Sequence, residues 1–470
     1  SAIPLSTSNG LSQIEALENG NYSPDTSLPE FNNQTFTLES GTSGNSTHAS
    51  HAARNFYGTL SLLPGAAQID LFNASTWVNS GFLNRGSRNN QPATESRAVQ
   101  NHSWIDIGST DSLAEETNLR LDYAIHRDGF VSVVGMNNGT STVLPQLLGQ
   151  SYHTISVGRD DGRHSAGFTT LDGTGRIKPE IVAPSAPPEA ATSWTTPMVA
   201  GASGLLVEAL TSTPYSLSGA DIPRTVKAIL LASATKNTLA SWANTSDRPL
   251  DTIYGAGELN VWHAWHTMRG GRFTASSSTS RPPRGWAAET LSGSSTKSYF
   301  FTIPAATPPT PFSACLVWHR DVTTELRGSR FNPRVWEYTL SNLNLRLHQA
   351  NGFTLGAAID ESLSTVDNLE LVHDAALPPG DYALVVENTS TTATDFALAW
   401  HSLPAVTLTA TLDTASEIDA QEATITVTRT GETSLPLQVF LSYSGTATAG
   451  IDFQIPPTHL TIPADSASSS

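Results

Sequence analysis

Three short stretches carry residue types suited to acyl transfer. In "ATSWTTPMVAGASGLL", Ala191 to Leu206, one serine, Ser193, stands just ahead of a row of small residues and leucines. The N-terminus of a helix offers unpaired N–H groups and the positive end of the dipole, where charge developing on an attacked carbonyl is stabilised. Capping the helix is the ordinary alternative role for such a serine. In "STHASHAARNFYG", Ser46 to Gly58, His48 and His51 lie three apart at the start of a second small-residue helix. An imidazole there can act as general base toward a serine on a neighbouring helix. The pair could also suggest a metal, but no further ligand cluster accompanies it and no metal is expected at the site. The third stretch, "VVGMNNGTS", Val133 to Ser141, ends a buried strand in two asparagines and a glycine. The Asn137 amide can donate to an oxyanion, although Asn-Gly is also an ordinary turn.

The elements that must position these residues change texture along the chain. Up to about residue 270, short buried strands alternate with helices, the mark of an α/β sheet. "FVSVVGM" (130–136) and "HTISVG" (153–158) read as strands. Residues 119–128, 197–210 and 223–234 read as helices, the last two with a proline near the start, where a missing N–H costs nothing. "TASSSTSRPPRG" (274–285) has the composition of a linker. Six short strand-like runs between 298 and 401 then predict one β-sandwich over roughly 288–402. A last strand series starts past Pro404 and stops in "ADSASSS", before the unit is expected to be complete.

The 470 residues exceed one hydrophobic core, and 38% hydrophobic residues with ten tryptophans give ample packing material. Net charge is −17, from 25 basic and 42 acidic residues, and no basic cluster offsets it. Nucleic acid and anionic membrane are therefore not expected partners. No apolar run reaches the ~18 residues of a membrane helix, and no signal peptide is visible. The single cysteine, Cys315, lies in the apolar run "FSACLVWHR" and reads as a buried thiol.

Taken together, the stretches resemble the subtilases, the subtilisin-like serine peptidases. "TSWTTPMVAG" is similar to the family's nucleophile motif, "HASHAAR" to its histidine motif, and "GMNNG" to its oxyanion segment. "GRIKPEIVAP", "YGAGELNVWHAW" and "VQNHSWI" resemble three further family segments, all in the family's order. The resemblance covers residues 10–270 and implies Ser193 as nucleophile, His48 as base and Asn137 as oxyanion donor. It implies Ser103, Trp104 and Gly135 as positions that bind an extended peptide substrate.

The family's acid is an aspartate, whereas "LSQIEALENG" puts Glu15 at the matching position, with Asp25 in "PDTS" as competitor. Ala191 and Thr195 replace the usual glycine and alanine around the serine, and Trp104 and Ile105 follow Ser103 where a glycine is usual. The fold implied is a subtilisin-like α/β domain over 1–272, a jelly-roll-like β-sandwich over 286–403 and a partial Calx-beta-like module over 405–470. Such modules bind calcium, with Asp413, Glu417 and Asp452 as candidate ligands and a structural ion as the only expected role. The implied function is a secreted, monomeric serine endopeptidase. The rival reading is a catalytically impaired subtilase-fold binding protein acting through its β modules.

Overall fold

The computed structural model of the chain describes residues 9–87, 89–106, 108–185, 190–305, 309–326, 334–402, 406–412, 423–429, 433 and 436–470. Its first part is built on a seven-stranded, wholly parallel sheet. The strands are β1 (Leu11–Glu15), β2 (Thr35–Leu38), β3 (Gln68–Asn73), β4 (Val99–His102), β5 (Val131–Gly135), β6 (Ile155–Arg159) and β9 (Ile181–Ala183), in the order β2-β3-β1-β4-β5-β6-β9. A small antiparallel pair, β7 (Gly167–Phe168) and β8 (Ile177–Lys178), lies outside it. Strands β1, β4, β5, β6 and β9 are buried along their whole length. That is why β5, β6 and β9 read as apolar or small-residue runs rather than as alternations, whereas β1 and β4 bury Gln13, Glu15, Gln100, Asn101 and His102.

Helices α1 (Thr47–Phe56), α2 (Ala74–Thr76), α3 (Asp111–Asp128), α4 (Thr192–Thr211), α5 (Asp221–Ala232) and α6 (Val261–Arg269) flank the sheet. Helix α4 is the central one, with fourteen buried residues, and its small residues admit close neighbours. A Cβ on Gly204 would come within 2.4 Å of Leu63 Cδ1, and one on Gly201 within 3.5 Å of the Phe56 carbonyl. Pro197 is the sixth residue of α4 rather than close to its start, because the helix begins five residues before the expected position. Its missing N–H therefore does remove a helical hydrogen bond, the one to the Ser193 carbonyl.

Two further sheets enclose a second core. The five-stranded one runs β10 (Ser276–Arg281), β12 (Ser295–Ile303), β19 (Gly380–Asn388), β16 (Leu343–Asn351), β17 (Thr354–Ser362). The four-stranded one runs β11 (Arg284–Leu291), β20 (Thr394–Ser402), β13 (Thr310–Trp318), β18 (Leu369–Leu377). Between them lie Tyr299, Phe301, Phe312, Leu316, Trp318, Leu345, Leu384 and Trp400. The four-stranded sheet is apolar on both faces. Cys315 and Val317 of β13, with Ala397 and Ala399 of β20, join the core that contains α5 and α6. Ala314, Leu316, Phe396 and Leu398 face the second core instead. This double burial explains the unbroken run "FSACLVW", and it seats the strand-rich part on the α/β part. Burial pushes the Cys315 thiol pKa well up, so it is an inert packing group.

The segment 274–285 is not a linker. Half of it forms edge strand β10, in irregular parallel register with β12, and β11 begins at Arg284. Its residues are largely exposed, so no apolar alternation marks it, and it is held instead by backbone pairing and by Arg281, which donates to the Thr274 carbonyl at 2.7 and 3.0 Å. A hairpin, β14 (Asp321–Leu326) and β15 (Arg334–Thr339), reaches back to α3, where the Trp336 ring lies under the Arg120 guanidinium at 4.9 Å. At the C-terminus β21 (Val406–Leu412), β22 (Thr424–Arg429) and β25 (Ser468–Ser469) form one small sheet, and β23 (Leu437–Phe440) with β24 (His459–Ile462) another. Asp413 and Glu417 lie outside the described residues. Asp452 closes its own turn, accepting from the Thr448 N–H at 2.7 Å.

Candidate active site

Parallel sheets present their ligand-binding loops at the carboxyl ends of the strands. Strand β1 delivers Glu15 there, 1% exposed, as its last residue. The Glu15 Oε2 accepts from Nδ1 of His48 at 2.8 Å, and Oε1 accepts from the Gln13 side-chain amide at 2.9 Å. Gln13 is itself fixed, donating to the Ala49 carbonyl at 2.9 Å and accepting from the Tyr57 hydroxyl. The carboxylate thus meets the imidazole in one orientation. With Nδ1–H committed to Glu15, Nε2 is left as the basic nitrogen.

His48 is the second residue of α1, whose entry is built by Ser46 and Glu18. Ser46 caps the helix, accepting from the Ala49 N–H at 3.0 Å. Glu18 accepts from Ser46 Oγ at 2.7 Å and from the His48 N–H at 3.0 Å. Burial works to lower the His48 pKa, but the Glu15 hydrogen bond and the charges of Glu15 and Glu18 outweigh it and hold the imidazole above its ordinary value. Asp25 takes no part. It accepts from the Ser27 N–H and hydroxyl at 3.1 and 2.6 Å, an Asx turn that uses its Oδ1 locally.

Ser193 is the second residue of α4 and is half-buried. Its carbonyl, orphaned by Pro197, accepts from Ser103 Oγ at 3.1 Å, and Ser103 is in turn held by the Asn101 side-chain amide at 3.0 Å. The proline and Ser103 together therefore tie the nucleophile's backbone to the end of β4. The N–H groups at the start of α4 are shared out: Thr192 donates to Asn138 Oδ1 at 2.9 Å, while Trp194 and Thr195 donate to the Ala191 carbonyl. The N–H of Ser193 and the half-buried side-chain amide of Asn137 have no hydrogen-bond partner among the described residues. Asn137 is placed by its backbone, which exchanges hydrogen bonds with Ser165 at 2.8 and 3.1 Å.

Ser193, Asn137, Ser103, Trp104 and Gly135 line one cavity of about 60 Å³, with Ile105, Met136, Asn138 and Thr192. Of the segment "VQNHSWI" (99–105), only Val99–His102 is strand, so Ser103, Trp104 and Ile105 follow the end of β4. Trp104 does not fill the cavity freely. Its indole donates to His102 Nδ1 at 3.3 Å and packs in a core with Trp77 and Phe82. Gly135 is required because a Cβ there would stand 2.8 Å from Thr196 Oγ1. On the other side of the serine, Trp194 lies against both histidines, with ring centroids 5.1 Å from His48 and 5.2 Å from His51. This ring contact, tilted by 39°, brings His48 beside the residue that follows the nucleophile. The sequence reading missed Gln13, Glu18, Asn138 and Trp194 as parts of the site. Of these only Trp194 carried a local signal, its place directly after Ser193.

No family model matches the chain, and no curated protein matches it. Solved structures similar to it include the self-cleaved protease domain of PatA, with TM-score 0.38 and 18% identity over 56% of this chain and 98% of that one. The prenylagaramide maturation protease PagA follows with TM-score 0.34 and 19% identity over 55% and 92%. The PatG macrocyclase in complex with peptide gives TM-score 0.38 and 13% identity over 56% and 91%. Likenesses this distant carry no argument about the chemistry, which rests on the side chains.

Proposed function

We propose that the protein is a subtilisin-like serine endopeptidase that works outside the cell. Ser193 Oγ attacks the peptide carbonyl and His48 Nε2 takes its proton. Glu15 orients the imidazole and stabilises its charged form. The oxyanion is received by the Asn137 amide and the Ser193 N–H, the two donors left without partners. His48 then protonates the leaving amine, and water releases the acyl group from Ser193. Substrate lies extended against the segment that leaves β4 at Ser103. The observation that carries the reading is the buried Glu15 carboxylate on His48 Nδ1, with that ring beside Trp194.

A fluorophosphonate probe tests it. Labelling of the folded chain at Ser193, located by mass spectrometry and lost in Ser193→Ala, is the expected result. No labelling would favour a binding protein on the same scaffold. A structural calcium ion in the C-terminal module belongs to the same proposal, and a chelator should then lower the melting temperature.

Two further outcomes follow from the geometry. A cavity of about 60 Å³ beside the nucleophile admits only a few atoms. Peptides with Ala or Ser before the scissile bond should therefore be cleaved at least tenfold faster, in kcat/KM, than peptides with Phe or Leu there, a modest discrimination for pocket fit. Equal rates would show that the cavity is not the specificity pocket. The second outcome concerns pH. The base must be neutral, so kcat/KM should rise with pH through a midpoint above the ordinary histidine value of about 6.5. Glu18→Gln should move that midpoint down. Stability runs the other way: a raised folded pKa contributes stability that is full below the unfolded pKa and is lost as pH rises through the folded one. An unmoved midpoint in Glu18→Gln would remove Glu18 from the electrostatics of the site.

A further inference from the structure

A cavity of about 330 Å³ lies where the α/β part meets the strand-rich part. Ala232 to Asn237, Asn260 and His263 line it from one side, and Phe312, Ser313, His373 and His401 from the other. Asn237, Pro311 and Ala375 are exposed and form its rim. Inside stands Lys236, 8% exposed. Its Nζ donates to the Ala234 carbonyl at 3.1 Å and lies 5.1 Å from the centre of the Trp242 ring. No carboxylate lies within ion-pair distance of it among the described residues. The other buried lysines are treated differently: Lys178 and Lys227 share the Glu180 carboxylate at 2.6 and 2.8 Å.

A second group in the wall is also unsatisfied. His401, 5% exposed, uses Nδ1 on the Thr267 hydroxyl at 2.9 Å, and its Nε2 has no partner among the described residues. His373 is anchored through Nδ1, 2.9 Å from the Phe312 carbonyl and 2.8 Å from Ser313 Oγ. A buried ammonium with one backbone acceptor leaves two N–H donors without an anion, and an unpaired buried charge is costly. Folding has left a buried ammonium in a chamber open to solvent at one rim and lacking its counter-charge.

We propose that this cavity binds a small oxyanion, a carboxylate or phosphate compound of a few heavy atoms, with Lys236 as its cationic anchor. The site is separate from Ser193 and does not depend on the proposed hydrolysis. By bridging Lys236 to the wall formed by β13, β18 and β20, the anion would fasten the two parts of the chain together.

The titratable groups facing Lys236 are His263 of α6, Cys315 of β13, His373 of β18 and His401 of β20. Burial keeps the imidazoles below their ordinary pKa and the thiol above its own, so none supplies charge near neutrality. Burial also pushes Lys236 down to about 7. The oxyanion therefore has to be bound together with a proton whenever the pH lies above that value.

Calorimetric titration of the whole 470-residue Ser193→Ala chain with sodium phosphate, and separately with sodium succinate, tests the site without hydrolysis. Saturable one-to-one binding of either anion is expected, and which one binds tells phosphate from carboxylate ligands. Affinity should weaken about tenfold per pH unit above the lysine pKa, with proton uptake seen as a dependence of the heat on buffer ionisation enthalpy. Lys236→Met should abolish binding. If that variant does not fold, the wild-type pH profile and the proton uptake carry the test. No saturation by either anion at pH 6, a pH-independent affinity, or equal affinity in Lys236→Met would each overturn the proposal.

Discussion

Glu15→Gln should lower kcat by about 10⁴-fold with little loss of stability, the size expected when an orienting acid in a serine–histidine pair becomes an amide. The argument lies in the neighbours of Glu15 rather than in its charge alone. The Tyr57 hydroxyl and the Ala49 carbonyl hold the Gln13 amide with its N–H₂ facing Glu15 Oε1. In the variant, Gln13 will therefore select the oxygen of the new amide, turning its N–H₂ toward His48 Nδ1. Nδ1 must then accept, the ring proton moves to Nε2, and the nitrogen that should take the serine proton is already protonated. The variant should fold, and its remaining activity should reach its midpoint at lower pH, because the charge that raised the imidazole pKa is gone. Asp25→Ala should leave kcat unchanged, since the Asp25 carboxylate is engaged by Ser27 in its own turn and by Asn45, not by His48. Steady-state rates on one small peptide, with melting temperatures as a folding control, decide the matter. A Glu15→Gln rate within tenfold of wild type would mean that Glu15 is not the acid of this site.

Much of the arrangement was legible in the sequence because it is local. The buried strands β5 and β6 announce themselves as short runs of apolar and small residues, and α4 as a small-residue helix behind a polar turn. The identity of Glu15 was legible only through the resemblance, since nothing in "LSQIE" says that a strand ends at an acid. Other contacts have no local signature. Asn138 caps α4 across 54 residues of chain, and Glu18 caps α1 across 30. Strands β10 and β17 escaped notice for a different reason. Both are edge strands of the five-stranded sheet and largely exposed, so neither shows the alternation that a half-buried strand must have. The sheet carrying Cys315 shows the opposite pattern, apolar on both faces, and that is the trace of a docking surface for α5 and α6.

The same docking predicts the largest stability effect. Arg320 follows β13 and is completely buried, yet it was indistinguishable from a surface arginine in "LVWHR". Its Nη1 and Nη2 donate to the two oxygens of Asp172, each at 2.7 Å, and its Nε donates to Asp122 Oδ2 at 2.7 Å. Tyr152 and Tyr338 lie over the guanidinium at 4.4 and 4.8 Å. Both aspartates belong to the α/β part, so one cation from the strand-rich part neutralises two buried carboxylates across the junction. Arg320→Met should cost about 3–5 kcal/mol, because it strands those carboxylates rather than because the pairing itself is worth that much. Burial already raises the Asp172 pKa against the pull of Arg320, while Asp122 is held low despite its burial by His153, Arg320 and the hydrogen bonds it accepts. Without Arg320, Asp172 is the group that will take up a proton, so the penalty should be largest near pH 8 and smaller near pH 5. Arg320→Lys should fall between, keeping the charge but losing the two-pronged fit. Denaturant unfolding at both pH values measures this. A penalty under 1 kcal/mol, or one that does not shrink in acid, would mean that the two parts are held by apolar burial alone.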